Sequence, residues 1–239
     1  MGFFDDYPRF QTTSVTTPML GRLNPRHEAI VVANHGLFGG ARVLDLASHD
    51  GRWSFAATKA GAAHVLGVEA RPDLVANAEE TFRILGVERD RYSFVVADAL
   101  DYLRTECPQV DLVLVLGFLY HLWQHIELIR LVAETGARHV IVDTSILPDS
   151  RLHPSAPVVV ELRLEPVGDQ RNQAHPDRAG STEAFVGYPS RQAVTTMFDY
   201  FGFEAVEFDW PALLRRYPAD DIPDYANGSR TTFRMTRRS

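Results

Sequence analysis

Between Ala41 and Glu69 the chain reads ARVLDLASHDGRWSFAATKAGAAHVLGVE: a strand, a tight turn, a helix and a second strand, with a carboxylate at the end of each strand. Val43, Leu44 and Leu46 form the short apolar run of a strand buried in a parallel sheet. Asp45 interrupts it near the carboxyl end, where open α/β sheets bind their ligands. Glu69 closes the second apolar run 24 residues after Asp45. An ionised Glu only accepts hydrogen bonds and a ribose offers two hydroxyl donors, so a carboxylate there suits a nucleoside. The feature commits the chain to a βαβ unit and points to adenosine chemistry.

The turn Asp45-Leu-Ala-Ser-His-Asp-Gly51 selects among adenosine ligands. A dinucleotide wants GxGxxG, whose glycines let backbone amides approach a pyrophosphate, and here Ala47 and His49 stand where glycine is wanted. S-adenosylmethionine carries no phosphate, and its ammonium and sulfonium charges suit Asp45 and Asp50. The loop resembles the first motif of class I S-adenosylmethionine-dependent methyltransferases, (D/E)xGxGxG, matched at Asp45 and Gly51 with two glycines replaced. The imidazole of His49 is expected to point outward, the other orientation being toward the methionine carboxylate or the acceptor. A strand-end turn without a ligand is the bland alternative.

Later segments extend the resemblance over residues 25 to 145. Arg91 to Leu100, RYSFVVADAL, reads as a third strand ending in Asp98, and Asp98-Ala99 matches the pair whose carboxylate, in the family, bonds the adenine amino group. Val110 to Gly117, VDLVLVLG, is a fourth buried strand, and the following GFLYHL resembles the GVLYHL found after strand four in members acting on small molecules and on tRNA wobble uridines. The resemblance implies a Rossmann-like fold: a mainly parallel seven-stranded sheet, an antiparallel end hairpin and helices on both faces. It implies cofactor contacts at Asp45, Ala47, His49, Gly51, Glu69, Ala70, Asp98, Ala99 and Gly117, with Tyr120 and His121 facing the transferable methyl. His121 is the first candidate for the base, because imidazole titrates near neutral pH; a structural hydrogen bond to a neighbouring loop is the competing role.

Along the chain, residues 1 to 20 mix aromatics, Thr and Pro and read as an arm over a site, or over a neighbouring subunit in a homodimer. Asn24-Pro25 looks like a helix start, with Asn as N-cap, running to Gly36. Strands are expected at 42 to 47, 64 to 69, 93 to 97, 110 to 116 and 138 to 143, with helices at 51 to 60, 73 to 85, 99 to 104 and 124 to 135. Beyond Asp143 a strand at 157 to 164 leads into a long polar connection, 165 to 189, holding Arg171, Asn172, His175, Asp177, Glu183 and Tyr188, all able to bond a polyhydroxylated ligand. A solvated surface loop is the plain alternative there. A helix at 191 to 201 and strands at 204 to 209 and 230 to 236 complete the pattern. The whole reads as one domain over 1 to 239, with an N-terminal arm and helix at 1 to 40 and a substrate-side insertion at 145 to 190.

The net charge of −7 and scattered arginines argue against a nucleic-acid surface, which needs clustered cations to displace counterions. Cys107 is the sole cysteine, no apolar run approaches a membrane span and no leader is visible, so a cytoplasmic enzyme is expected. Lys59 is the only lysine beside 23 arginines. That bias, with the architecture, is similar to actinobacterial sugar O-methyltransferases, including those of mycobacterial methylmannose polysaccharide assembly, some of which use magnesium. For a metal the candidates are Asp143, His153 and Glu183, with Glu161 and His175 as further co-ligands, although no diagnostic spacing exists. The expected activity is methyl transfer to the hydroxyl of a small polar acceptor, a mannoside-like sugar. The alternatives are a tRNA wobble-uridine methyltransferase and a noncatalytic adenosyl-binding module.

Overall fold

The computed structural model describes residues 2–14, 19–153, 155–166 and 182–238. In chain order the helices are α1 (Arg9–Thr12), α2 (Leu20–Ile30), α3 (Arg52–Lys59), α4 (Pro72–Ile84), α5 (Ala99–Thr105), α6 (His125–Glu134), α7 (Arg191–Tyr200), α8 (Trp210–Leu214) and α9 (Pro223–Ala226). The strands are β1 (Arg42–Leu46), β2 (His64–Glu69), β3 (Tyr92–Val96), β4 (Leu112–Leu116), β5 (His139–Ser145), β6 (Val160–Pro166), β7 (Glu183–Pro189), β8 (Phe203–Glu207) and β9 (Arg230–Arg237). Seven strands form one sheet in the order β3-β2-β1-β4-β5-β9-β8. The first five are parallel; β9 runs antiparallel to both β5 and β8. This is the expected Rossmann-like methyltransferase sheet with its antiparallel end hairpin.

The central strands are apolar on both faces because helices cover both. Along β4, Val113 and Val115 enter a core with Leu103, Leu128, Ile129, Phe198 and Phe233, while Leu112, Leu114 and Leu116 enter another with Phe55, Phe82, Ile30 and Phe38. The strand order reverses between β2-β1 and β4-β5, so the crevice at the carboxyl ends of β1 and β4 is the place where such sheets bind ligands.

Three expectations change. The helix before β1 starts at Leu20, with Asn24 and Pro25 inside it. Asn24 is no N-cap: its Oδ1 accepts the Phe4 amide at 2.9 Å and its Nδ2 donates to Asp5 at 2.8 Å, tying the arm to the helix. The arm packs on its own chain, where Phe4 and Phe10 are fully buried with Trp53, Phe55 and Phe82. The connection at 165 to 189 is also not wholly loop. Glu183–Pro189 is β7, paired antiparallel with β6, and Tyr188 opposes Glu161. Arg171, Asn172, His175 and Asp177 lie outside the described residues.

Candidate active site

The turn after β1 keeps the backbone of a glycine-rich loop without the glycines. Ala47 and His49 have φ of 55° and 54°, and Gly51, which opens α3, has φ of 76°. Asp45 is buried, and Ser54 Oγ of α3 donates to its Oδ2 at 2.6 Å. Burial pushes its carboxyl up to about 7, with the charges of Glu69 and Asp50 acting in the same direction and Ser54 opposing them. Glu69, at the end of β2, fixes the turn from the other side. Its Oε2 accepts the His49 amide at 2.9 Å and its Oε1 the Arg71 amide at 3.1 Å. Oε1 also accepts Arg71 Nε at 3.3 Å, and a carboxylate oxygen has two lone pairs, so Oε2 is the atom that retains an acceptor site for a ribose hydroxyl.

Asp50 and His49 do not sit as expected. Asp50 is fully buried and already paired: Arg52 Nε donates at 2.7 Å and Thr13 of the arm at 2.9 Å. Arg52 and His49 hold its carboxyl well below the usual carboxylate range despite burial. It anchors the arm and does not stand open to a cationic ligand. His49 folds inward, its Nδ1 3.3 Å from Asp50 and 3.1 Å from Arg52 Nη2. Arg52 also reaches Ser14 of the arm.

The remaining cofactor candidates line the same edge. Ala70 follows β2. Asp98 caps α5, its Oδ1 accepting the Leu100 and Asp101 amides at 2.9 and 3.0 Å, which leaves Oδ2 for an adenine amino group. Gly117 follows β4 with φ of 77°, and a Cβ there would lie 3.2 Å from Arg230 Nη2. Three buried polar atoms in or beside the turn have no hydrogen-bond partner among the described residues: Ser48 Oγ, His49 Nε2 and Arg26 Nε, the last on a guanidinium 5.0 Å from the Trp53 ring. Orphaned donors and acceptors of this kind fit a ligand with a polar amino-acid end, and the two carboxylates fit its nucleoside end.

Tyr120 and His121 lie in a 3-10 turn, Leu119–His121, directly after β4. Their rings are 4.1 Å apart, and Tyr188 lies 5.6 Å from Tyr120, so β7 packs beside this turn. Tyr188 donates to Glu165 at 2.8 Å and stacks under Arg163; burial and Glu165 push its hydroxyl pKa up, which keeps it a neutral donor.

Asp143 overturns the metal expectation. Its Oδ1 accepts from Arg230 Nε at 2.8 Å, Arg230 Nη2 at 2.5 Å and Arg26 Nη2 at 3.0 Å; its Oδ2 accepts from Tyr225 at 2.7 Å and Thr232 at 2.8 Å. Fully buried, it is held well below the usual carboxylate range by Arg230 and Arg26. With its lone pairs occupied and two cations beside it, it does not fit a divalent ion. Glu161 lies between Arg151 at 2.8 Å and Arg163 at 2.5 Å, and His153 bonds Ser155 at 2.7 Å. Among the described residues no group of three or more His, Cys, Asp and Glu is placed to hold a metal, Glu183 included; His175 lies outside them. Arg230 itself is the residue that sequence reasoning missed. It reads there only as the first position of the strand RTTFRMT, where a second arginine, Arg234, gives it no distinct signal.

Residues 43–138 match the family model described as a methyltransferase domain. No curated protein matches the chain in sequence. Among solved structures, the chain is similar to the N-terminal domain of EvdMO1 with SAH bound (TM-score 0.63, 20% identity, 91% of this chain and 82% of that one). It is also similar to an S-adenosylmethionine dependent methyltransferase from Mesorhizobium loti (TM-score 0.59, 14% identity, 84% and 93% covered). A third is the magnesium protoporphyrin IX methyltransferase ChlM from Synechocystis PCC 6803 with bound SAH (TM-score 0.59, 15% identity, 98% and 94% covered). Among the described residues, no helix is long and apolar enough to cross a membrane. These likenesses show the fold of class I S-adenosylmethionine-dependent methyltransferases.

Proposed function

We propose that this chain is a methyltransferase that moves a methyl group from S-adenosylmethionine to a hydroxyl of a small polar acceptor of the sugar class. The observation that carries the cofactor half is the turn at Ala47, His49 and Gly51, which keeps a left-handed backbone at all three positions between the buried carboxylates Asp45 and Glu69. In this reading Glu69 takes the ribose hydroxyls, Asp98 the adenine amino group and Asp45 the cationic methionine end, with Ala47, His49, Gly51, Ala70, Ala99 and Gly117 shaping the walls. For the acceptor half, support comes from the tyrosine pair Tyr120 and Tyr188 beside the post-β4 turn. A similar solved structure, the N-terminal domain of EvdMO1 in the presence of SAH and D-fucose, adds to it (TM-score 0.61, 20% identity).

When bound, S-adenosylmethionine supplies a methyl already activated by the sulfonium. The protein's part is to hold the acceptor oxygen in line with the methyl and sulfur and to remove the hydroxyl proton. His121, on the turn after β4, is the proposed base and Tyr120 the group that positions the hydroxyl.

The test is methyl transfer from labelled cofactor to neutral and charged sugars, phenols and tRNA. Transfer to sugars, lost by at least about tenfold in His121→Ala with cofactor affinity within about threefold, supports the reading. Transfer to tRNA alone moves the chain to the nucleic-acid reading. Cofactor binding without transfer to any of them favours the noncatalytic module.

A further inference from the structure

At the carboxyl-end edge of the sheet a cavity of about 500 Å³ opens between β8, β9, α8 and α9. Its walls include Trp210, Tyr225, Arg191, Glu207, Thr231 and Arg230. We propose that this cavity receives the acceptor and that Arg230 binds there an anionic group of it, a carboxylate or a phosphate. The inference rests on the methyl-transfer reading above and deepens it.

Position comes first. Arg230 opens β9 opposite Ser145, at the carboxyl end of β5, and lines the cavity. Its Nη2 lies 3.2 Å from where a Cβ would project from Gly117, and its guanidinium carbon is 5.6 Å from the Tyr120 ring. One side chain therefore borders both the cavity and the residues assigned to methyl transfer. The volume suits a monosaccharide with a charged substituent.

Charge comes second. Arg22 and Asp224 form a closed pair through two bonds of 2.7 and 2.6 Å. Asp143, by contrast, is shared by Arg26 and Arg230, one carboxylate for two guanidinium groups in a buried cluster of the described residues. The cavity's own carboxylates do not supply a second. Glu207 is engaged by Arg191 and by Thr231 at 2.6 Å, and the exposed Asp209 caps α8 through the Ala212 amide at 2.9 Å. A buried surplus charge is costly unless something neutralises it. Arg230 has five N–H donors; among the described residues Asp143, Tyr225 at 3.0 Å and Ser145 at 3.4 Å engage three of them, so two remain for an anion.

The test is calorimetric titration of the S-adenosylhomocysteine complex with mannose, mannose 6-phosphate, glucuronate and inorganic phosphate, in wild type, Arg230→Gln and Arg230→Lys. In wild type the anionic sugars are expected to bind about tenfold or more tighter than mannose. Arg230→Gln should reduce that preference to within about twofold with S-adenosylhomocysteine affinity within about threefold, while Arg230→Lys, which keeps the charge, retains part of it. Mannose 6-phosphate and glucuronate distinguish phosphate from carboxylate. Equal binding of mannose and the anionic sugars by wild type overturns the inference even where a variant fails to fold, and leaves the sugar reading standing. Loss of S-adenosylhomocysteine binding in Arg230→Gln with the preference intact also overturns it, since Arg230 then serves the cofactor. Inorganic phosphate binding that depends on Arg230, without binding of any sugar, supports the anion site and removes the sugar.

Discussion

Ala47 and His49 hold a backbone conformation that costs an L-residue about 1–2 kcal/mol, and they hold it because the Glu69 carboxylate fixes the His49 amide from across the crevice. Ala47→Gly should therefore raise stability by roughly 0.5–1 kcal/mol in urea unfolding, after the added freedom of the unfolded glycine is set against the relieved strain. The two carboxylates were legible in the sequence because each ends an apolar strand. The retained turn was not, since a missing glycine reports a lost side-chain preference and says nothing of the dihedral the fold imposes. Asp50 misled for a related reason: Thr13 reaches it only when the arm has docked, and Arg52, two residues on, turns back to it from the first turn of α3. Asp45, pushed up to about 7 by burial, gives a pH signature. A cation bound beside it favours the ionised form, so affinity for S-adenosylmethionine should rise from about pH 6 to about pH 8 in calorimetric titration, and Asp45→Asn should flatten the dependence. The stability sign is opposite. Protonated Asp45 favours the folded chain at low pH, and that contribution is lost as pH rises through about 7.

At the scale of elements, the arm and the β6–β7 hairpin bracket the site. The arm is held by Arg9 to Glu80 at 2.7 Å and to Thr81 at 2.8 Å, and by Phe4 and Phe10 buried against α3. Phe10→Ala should cost about 3–5 kcal/mol in urea unfolding, because a fully buried ring is replaced by a cavity. It should also weaken cofactor affinity, because the Thr13 bond to Asp50 depends on the docked arm. The parallel strands and their helices were readable from continuous apolar runs and closing glycines. Asn24-Pro25 read as a helix start because local capping chemistry is the same whether Asn faces its own helix or, as here, a distant segment. β7 was unreadable because its Glu, Gly, Tyr and Pro residues carry turn composition, and only pairing with β6 makes them a strand.

For the molecule as a whole, the sheet brings β9 against β5 and so places Arg230 and Thr232 on Asp143, residues 87 and 89 positions away in sequence. Asp143→Asn should destabilise by about 3–5 kcal/mol in chemical unfolding, since Arg26 and Arg230 would lose their carboxylate inside the protein. The low carboxyl pKa of Asp143 contributes stability above the ordinary carboxylate range and loses it as pH falls. No local pattern announces such a cluster; it exists only once the end hairpin has closed the sheet.

The central claim, that the crevice between Asp45 and Glu69 takes an adenosyl sulfonium compound, is tested most directly by titrating the chain with S-adenosylhomocysteine and with NAD in a calorimeter. Saturable binding of S-adenosylhomocysteine is expected, weakened by at least about tenfold in Glu69→Ala, with no measurable binding of NAD. Binding of NAD, or S-adenosylhomocysteine binding that ignores the loss of Glu69, contradicts the claim.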